Sequence, residues 1–125
     1  MSDTLDPPDS LQQKPEDILA QSDRTKSLPL PALALAAVPG RKKKALELAQ
    51  EIERRGYAGI YCASFGDGMG LCHSLAHVTE RIPFGTSIAN LYTRHATDYA
   101  ASIASIQELS DGRFRFGIGV SHSPM

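Results

Sequence analysis

Four short apolar runs, beginning near residues 32, 58, 82 and 114, constrain this chain more than any other feature. They occupy residues 32–38, 58–63, 82–90 and 114–120, so the start-to-start distances are 26, 24 and 32 residues. The first run suits a helix or a strand when taken alone, but its shortness and its stop at Pro39-Gly40 favour a buried strand. The third is rich in β-branched residues. The segments between the runs carry helical spacing, and the resulting order is β-α-β-α-β-α-β. Such alternation implies parallel strands joined by helical crossovers. The pitch suits a (β/α) barrel or a doubly wound sheet. A closed eight-stranded barrel needs roughly 250 residues. The 125 residues here, of which the first 30 read differently, hold half of one.

The three helices are expected at residues 41–55, 71–80 and 96–109. In the first, Leu46, Leu48, Ala49 and Ile52 form the apolar side, Arg54-Arg55 suit the negative end of the dipole, and Gly56 suits a left-handed C-cap. Leu71, Leu75 and Val78 mark the second. Tyr99, Ile103 and Ile106 form a stripe on the third, with Ala100 and Leu109 beside it. Ser110-Asp111-Gly112 reads as the turn into the last strand.

Residues 1–26 hold six acidic and three basic residues, a net of -3, whereas the remainder carries eight and ten, a net of +2. A segment this polar, with five of the eight prolines falling before residue 32, cannot bury enough apolar surface to offset its ordering entropy. Residues 1–30 are therefore expected to be a disordered leader and residues 31–125 one folded domain. An overall net charge of -1 argues against a nucleic-acid partner, and the run Arg41-Lys42-Lys43-Lys44 reads as a solvated face. The acidic, polar start is unlike a secretory signal, and no apolar run is long enough to span a membrane. Cys62 and Cys72 are too few for a disulfide framework and fit free thiols in a reducing compartment. A cytoplasmic protein without a membrane partner is expected.

In parallel α/β folds chemistry lies beyond the carboxyl ends of the strands. Four segments qualify: 38–40, 63–70, 87–90 and 117–123. Gly117 and Gly119 suggest a dinucleotide fingerprint, but its third glycine is replaced by His122, so the pair reads as room for a close backbone approach. The glycines at 66, 68 and 70 lack the Gly-Lys-Ser/Thr of a phosphate loop. His73, His77 and Glu80 share a helical face, yet the metalloprotease pattern needs Glu where Ser74 stands, and no metal is expected. His122 suits a proton donor or a ligand-facing group, or an ordinary loop histidine. Asp67 is the only carboxylate in a strand-end loop, and no nucleophile motif occurs, so a bound cofactor is left to carry the reaction.

Several segments together resemble a known family. These are Arg55-Gly56-Tyr57-Ala58-Gly59-Ile60-Tyr61 at the second strand, Thr79-Glu80-Arg81-Ile82-Pro83-Phe84-Gly85-Thr86-Ser87-Ile88 at the third, Arg94-His95 at the next helix, and 109–120 (LSDGRFRFGIGV) at the fourth. They resemble the luciferase-like monooxygenases, flavin-dependent oxidoreductases. The loop Ser64-Phe65-Gly66-Asp67-Gly68 and the ending Gly119-Val120-Ser121-His122 are similar to the branch that uses the deazaflavin F420 or FMN. The resemblance implies the N-terminal half of a (β/α)8 TIM barrel with the cofactor at the carboxyl rim. It implies a non-prolyl cis peptide at Ser87-Ile88, a backbone ridge against one face of the ring. Ser64 and Asn90 would bond the ring edge, Gly119 would lie at the cofactor, and His122 would be the catalytic residue facing cofactor or substrate. Departures are Ala63-Ser64, where many relatives carry Asp-His, Ala96 in place of a proline, and the long leader.

The expected activity is hydride transfer or oxygen activation through F420 or FMN on a small organic substrate, as reductase, dehydrogenase or monooxygenase. With half a barrel, the chain reads as a truncated piece of such an enzyme. The alternatives are a non-catalytic product, a half-barrel subunit that pairs with another chain, and an anion-binding module built on the loop 119–122. Open strand edges imply marginal stability, self-association and poor flavin binding by the chain alone.

Overall fold

A computed structural model describes Lys14 and residues 30–120 of the chain. The remainder of the leader and His122 lie outside the described residues. The elements are β1 (Leu33–Leu35), α1 (Lys42–Arg54), β2 (Ile60–Ala63), α2 (Gly68–Val78), β3 (Phe84–Ser87), β4 (Ala89–Asn90), α3 (Ala96–Leu109), β5 (Phe114–Arg115) and β6 (Ile118–Gly119).

β1, β2, β3 and β5 form one parallel sheet in that order, and β4 and β6 form a second parallel pair. The register aligns Leu33 with Ile60, Ile60 with Phe84 and Phe84 with Phe114. These residues and their i+2 neighbours alternate with a second set, as the period of two in a strand requires. Ile60, Cys62, Phe84 and Phe114 are fully buried, and the Phe84 and Phe114 rings pack at 5.8 Å between centroids. With them lie Leu75 of α2 and Ile106 of α3, so this side of the sheet holds the core. In the alternate set Ala34, Ser87 and Arg115 are exposed, Tyr61 and Ala63 half-buried, and Gly85, which has no side chain, buried. One face of the sheet is packed and the other is open.

Two of the four expected strands are broken. The third divides into β3 and β4 at the Ser87-Ile88 bond, which is cis. The fourth divides into β5 and β6 across Phe116 and Gly117. A change of pairing partner, which no apolar pattern encodes, separates the halves. The first strand is shorter than its apolar run, covering Leu33–Leu35.

α2 begins three residues before the expected start at Leu71 because Asp67 caps it: the Asp67 carboxylate accepts the Gly70 N–H at 2.8 Å. It ends at Val78, since Thr79 is extended, and Glu80 lies outside it. α3 is capped by His95, whose Nδ1 accepts the Thr97 N–H at 3.2 Å. Gly56 (φ 80°) closes α1 in the left-handed conformation expected of it. Leu48 and Leu109 do not join the core; they are 50% and 44% exposed, and Ala100 is exposed too. In α1 the buried stripe is Ala45, Ala49 and Ile52, and Leu48 lies beside that stripe.

The base of the sheet, opposite the carboxyl ends, is held by two charged side chains. Glu53 of α1 accepts the backbone N–H groups of Glu80, Arg81 and Ile82 at 2.9–3.1 Å. Partial burial works to raise its pKa, but the three N–H donors outweigh it and hold the carboxyl below its ordinary value. Arg113 donates to the carbonyls of Ser110, Ile82 and Thr79 and to Thr79 Oγ1 at 2.8–3.0 Å, and its guanidinium lies 5.3 Å from the Phe84 ring centroid.

Candidate functional site at the carboxyl rim

Beyond the carboxyl ends of β2 and β3, between the first turns of α2 and α3, lies a cavity of about 620 Å³. Ala63 to Met69 form one side, and Ile88, Ala89 and Asn90 form another. Thr86, Thr93, Arg94, Tyr99 and Val120 complete the lining. Its size is that of small-molecule sites, and its mix of apolar surface with a few polar groups is typical of them.

The break in the third strand builds the wall. After Ala63 pairs with Ser87, the β2–β3 ladder stops. The chain passes through Ile88 and resumes pairing with β6, Ala89 N–H donating to the Gly117 carbonyl and Leu91 N–H to that of Gly119, both at 2.8 Å. Ile88 therefore stands between the two sheets. Ser64 bridges the gap: its hydroxyl accepts the Ile88 N–H at 3.1 Å and donates to the Ile88 carbonyl at 3.2 Å.

Asn90 lines the cavity, with its Oδ1 accepting the Tyr92 N–H at 2.8 Å. The Asn90 carbonyl accepts from Tyr99 Oη at 2.7 Å and Thr93 Oγ1 at 2.9 Å, which ties the cavity floor to α3. Arg94 sits at the mouth, 3.6 Å from both Asp67 and Asp98 and stacked on Tyr99 at 5.7 Å. Gly119 is close to the ridge but not in the lining; a Cβ there would lie 2.7 Å from Ile88 Cδ1.

Of the residues singled out in the sequence, Ser64, Ile88 and Asn90 come together in the cavity lining. Ser87 is exposed beside it, Gly119 backs Ile88, and His122 lies two residues beyond the lining residue Val120, outside the described residues. Sequence reasoning missed Thr86, Thr93, Arg94 and Tyr99 as lining residues. Arg94 was visible only as part of Arg94-His95, and Tyr99 reads from its spacing as core, which it also is, at 5% exposure. The histidines of α2 form no ligand cluster: among the described residues no group of three His, Cys, Asp or Glu side chains is placed to hold a metal. Gly117 does serve close approach, since a Cβ there would meet the Thr86 carbonyl oxygen.

Cys62 and Cys72 are free and buried, their sulfurs 3.6 Å apart. The neighbouring Cys62 sulfur and burial push the Cys72 thiol far above its ordinary value. No helix among the described residues is long and apolar enough to cross a membrane.

A parallel sheet with helices on one face, an open second face and a cavity at the carboxyl rim defines an α/β protein built as the N-terminal half of a (β/α)8 barrel. The chain belongs to the luciferase-like monooxygenase family, whose profile matches residues 21–125. Among curated proteins it is 47% identical over 45 residues to a 5,10-methylenetetrahydromethanopterin reductase of Methanolobus tindarius, covering 36% of this chain and 14% of that one. Among solved structures it is similar to the coenzyme F420-dependent tetrahydromethanopterin reductase of Methanopyrus kandleri, with a TM-score of 0.67, 26% identity, and coverage of 75% of this chain and 28% of that one. The fold also matches the oxygenating constituent of 3,6-diketocamphane monooxygenase from Pseudomonas putida, in complex with FMN, with a TM-score of 0.67 at 17% identity over 77% of this chain and 31% of the other. The chain thus spans less than a third of each of these relatives.

Proposed function

We propose that this chain supplies the ring-binding wall of a flavin-dependent oxidoreductase that uses F420 or FMN and acts on a small organic substrate. The observation that carries the reading is the rim cavity, walled by the backbone ridge at Ile88 where the third strand changes partner. The residues fit a planar heteroaromatic ring: Ile88, Met69 and Val120 offer apolar surface, and Asn90 and Thr93 offer polar groups for a ring edge. Two of the similar proteins support the choice of cofactor, one being F420-dependent and the other in complex with FMN.

The bound ring would supply hydride transfer or oxygen activation. The chain's own residues would position it. Ile88 and Ala89 would support one face, and Asn90 would bond the edge. Arg94 would close the mouth through Asp67. His122 is the proposed catalytic residue, holding or delivering a proton at its imidazole. We infer a cytoplasmic location from the two reduced, buried thiols.

The described strands wall the ring on one side, so the affinity is that of partial enclosure. About twenty ring atoms at roughly 0.3 kcal/mol each give about 6 kcal/mol, a Kd in the tens of micromolar. Titration of the full chain with F420 and with FMN, followed by flavin fluorescence, tests this. Saturable one-site binding in that range is expected. Absence of binding by every oligomeric form would remove the reading.

A second reading concerns the missing enclosure. Among the described residues, β1 and β5 are the sheet edges, and the exposed apolar side chains Leu91, Tyr92 and Ile118 line a second cavity of about 670 Å³ along α3 and β6. Edges and apolar surface together favour association. We propose that the chain self-associates through this side, and that a productive enzyme needs further β/α units there, supplied by a longer polypeptide or by a partner.

A further inference from the structure

The resemblance implies Ser64 as a group for the cofactor, but its hydroxyl is engaged elsewhere. It accepts from Ile88 N–H and donates to Ile88 C=O, at 3.1 and 3.2 Å. Only a group that is donor and acceptor at once can make both bonds, which a hydroxyl does and an alanine does not. The place matters as much as the chemistry. The β2–β3 ladder ends at Ala63 and Ser87, one residue earlier on each strand. At Ile88 the backbone has left that ladder and not yet joined β6, so the side chain of Ser64 replaces the missing ladder bonds.

The Ile88 side chain packs against the backbone of Gly119. Its Cδ1 occupies the space that a side chain at Gly119 would take, 2.7 Å from where a Cβ would stand. The backbone of Ile88 is thus held by Ser64, and its side chain has its place because Gly119 carries none. Both partners meet Ile88, and Ile88 lines the cavity.

We propose that Ser64 is a positioning residue: its hydroxyl holds the Ile88 backbone in the cavity wall, and cofactor affinity depends on Ser64 through Ile88 and not through contact with the ring. The inference rests on the proposed function. Ser64 itself is exposed, so water competes for its bonds and their net worth to folding is small. Its removal should therefore loosen the wall without unfolding the domain.

The test compares the full chain with Ser64→Ala and Ser64→Thr, titrated with F420 and FMN, with the hydrogen exchange of the Ile88 amide read by NMR and thermal unfolding in parallel. In Ser64→Ala, affinity is expected to fall about tenfold, the worth of roughly one to two hydrogen bonds. The Ile88 amide should exchange faster, while the amides of β2 and the melting temperature stay near wild type. Ser64→Thr, which keeps the hydroxyl, should restore both affinity and protection to within about threefold. Wild-type affinity in Ser64→Ala overturns the inference alone. So does weakened binding with unchanged Ile88 exchange, which would mean direct contact with the ring. Failure of the wild-type chain to bind either cofactor overturns the proposed function and this inference with it. If Ser64→Ala does not fold, Gly119→Ala, which presses on Ile88 from the opposite side, carries the same expectation of weakened binding, and wild-type affinity in that variant overturns the inference.

Discussion

The hydroxyl of Thr86 grips both polar atoms of Gly117, donating to its carbonyl at 2.7 Å and accepting its N–H at 2.9 Å. It does so where β5 gives way to β6, just as Ser64 grips Ile88 where β3 gives way to β4. Each break in a strand is bridged by a hydroxyl from the strand before it or from the residue just after that strand. Thr86 is buried at 4% exposure, so here, unlike at Ser64, water cannot replace the lost bonds. Thr86→Val should cost about 1 kcal/mol by leaving the half-buried Gly117 N–H without its partner, while the Gly117 carbonyl keeps the Ala89 N–H, and Thr86→Ser should recover most of it. Urea unfolding of the three proteins checks this. Gly117→Ala should cost at least as much, because its Cβ would press on backbone that cannot step aside.

Arg113 ties the last turn of the packed body to the end of α2. Its donors reach the Ser110, Thr79 and Ile82 carbonyls from one planar fork. A lysine has one nitrogen and cannot reproduce that geometry. Arg113→Lys should destabilise by about 2 kcal/mol and Arg113→Met by about 3 kcal/mol, measured by chemical denaturation. Cofactor affinity per folded molecule should not change, since Arg113 lies at the base and not the rim.

Glu53 makes stability depend on acid. Its carboxyl is held below the ordinary value in the folded state, outweighing the opposing effect of burial. A depressed folded pKa contributes stability above the unfolded value, about 4.3, and loses it as pH falls through the folded value. Thermal melts should therefore be level above about pH 5 and drop below it. Glu53→Gln should lose about 1 kcal/mol at pH 7, discounted for solvent screening, and show a flatter acid limb. An unchanged acid limb would count against this account.

Cys62 and Cys72 should be unreactive. Both are buried, and the Cys72 thiol is pushed upward, so the nucleophilic thiolate is scarce. Ellman's reagent should label neither in the native protein at pH 8, and both in denaturant. Rapid native labelling would mean that β2 and α2 separate readily.

Self-association should depend on the side chains along α3 and β6. Sedimentation is expected to show mass rising with concentration, and Leu91→Ser with Ile118→Ser to shift the protein towards monomer. Mass independent of both concentration and substitution would remove that proposal.

The order of elements was legible in the sequence because its signals are local. The apolar runs at 58–63 and 114–120, the helical stripe of Tyr99, Ile103 and Ile106, and the left-handed Gly56 depend on neighbours within a few residues. The resemblance carried the cis bond at Ser87-Ile88 and the group Ser64, Ile88 and Asn90 at one rim. What a polar side chain bonds to was decided by tertiary structure. Ser64 and Ile88 are 24 residues apart in the chain, and Thr86 and Gly117 are 31 apart. Their meeting depends on strand register, and a hydroxyl has the same composition and periodicity whether it faces a ligand, water or a neighbouring backbone. The same holds for Leu48 and Leu109, apolar by sequence yet exposed, because what packs against a helix, and not the helix's own pattern, sets how much of its apolar side is covered.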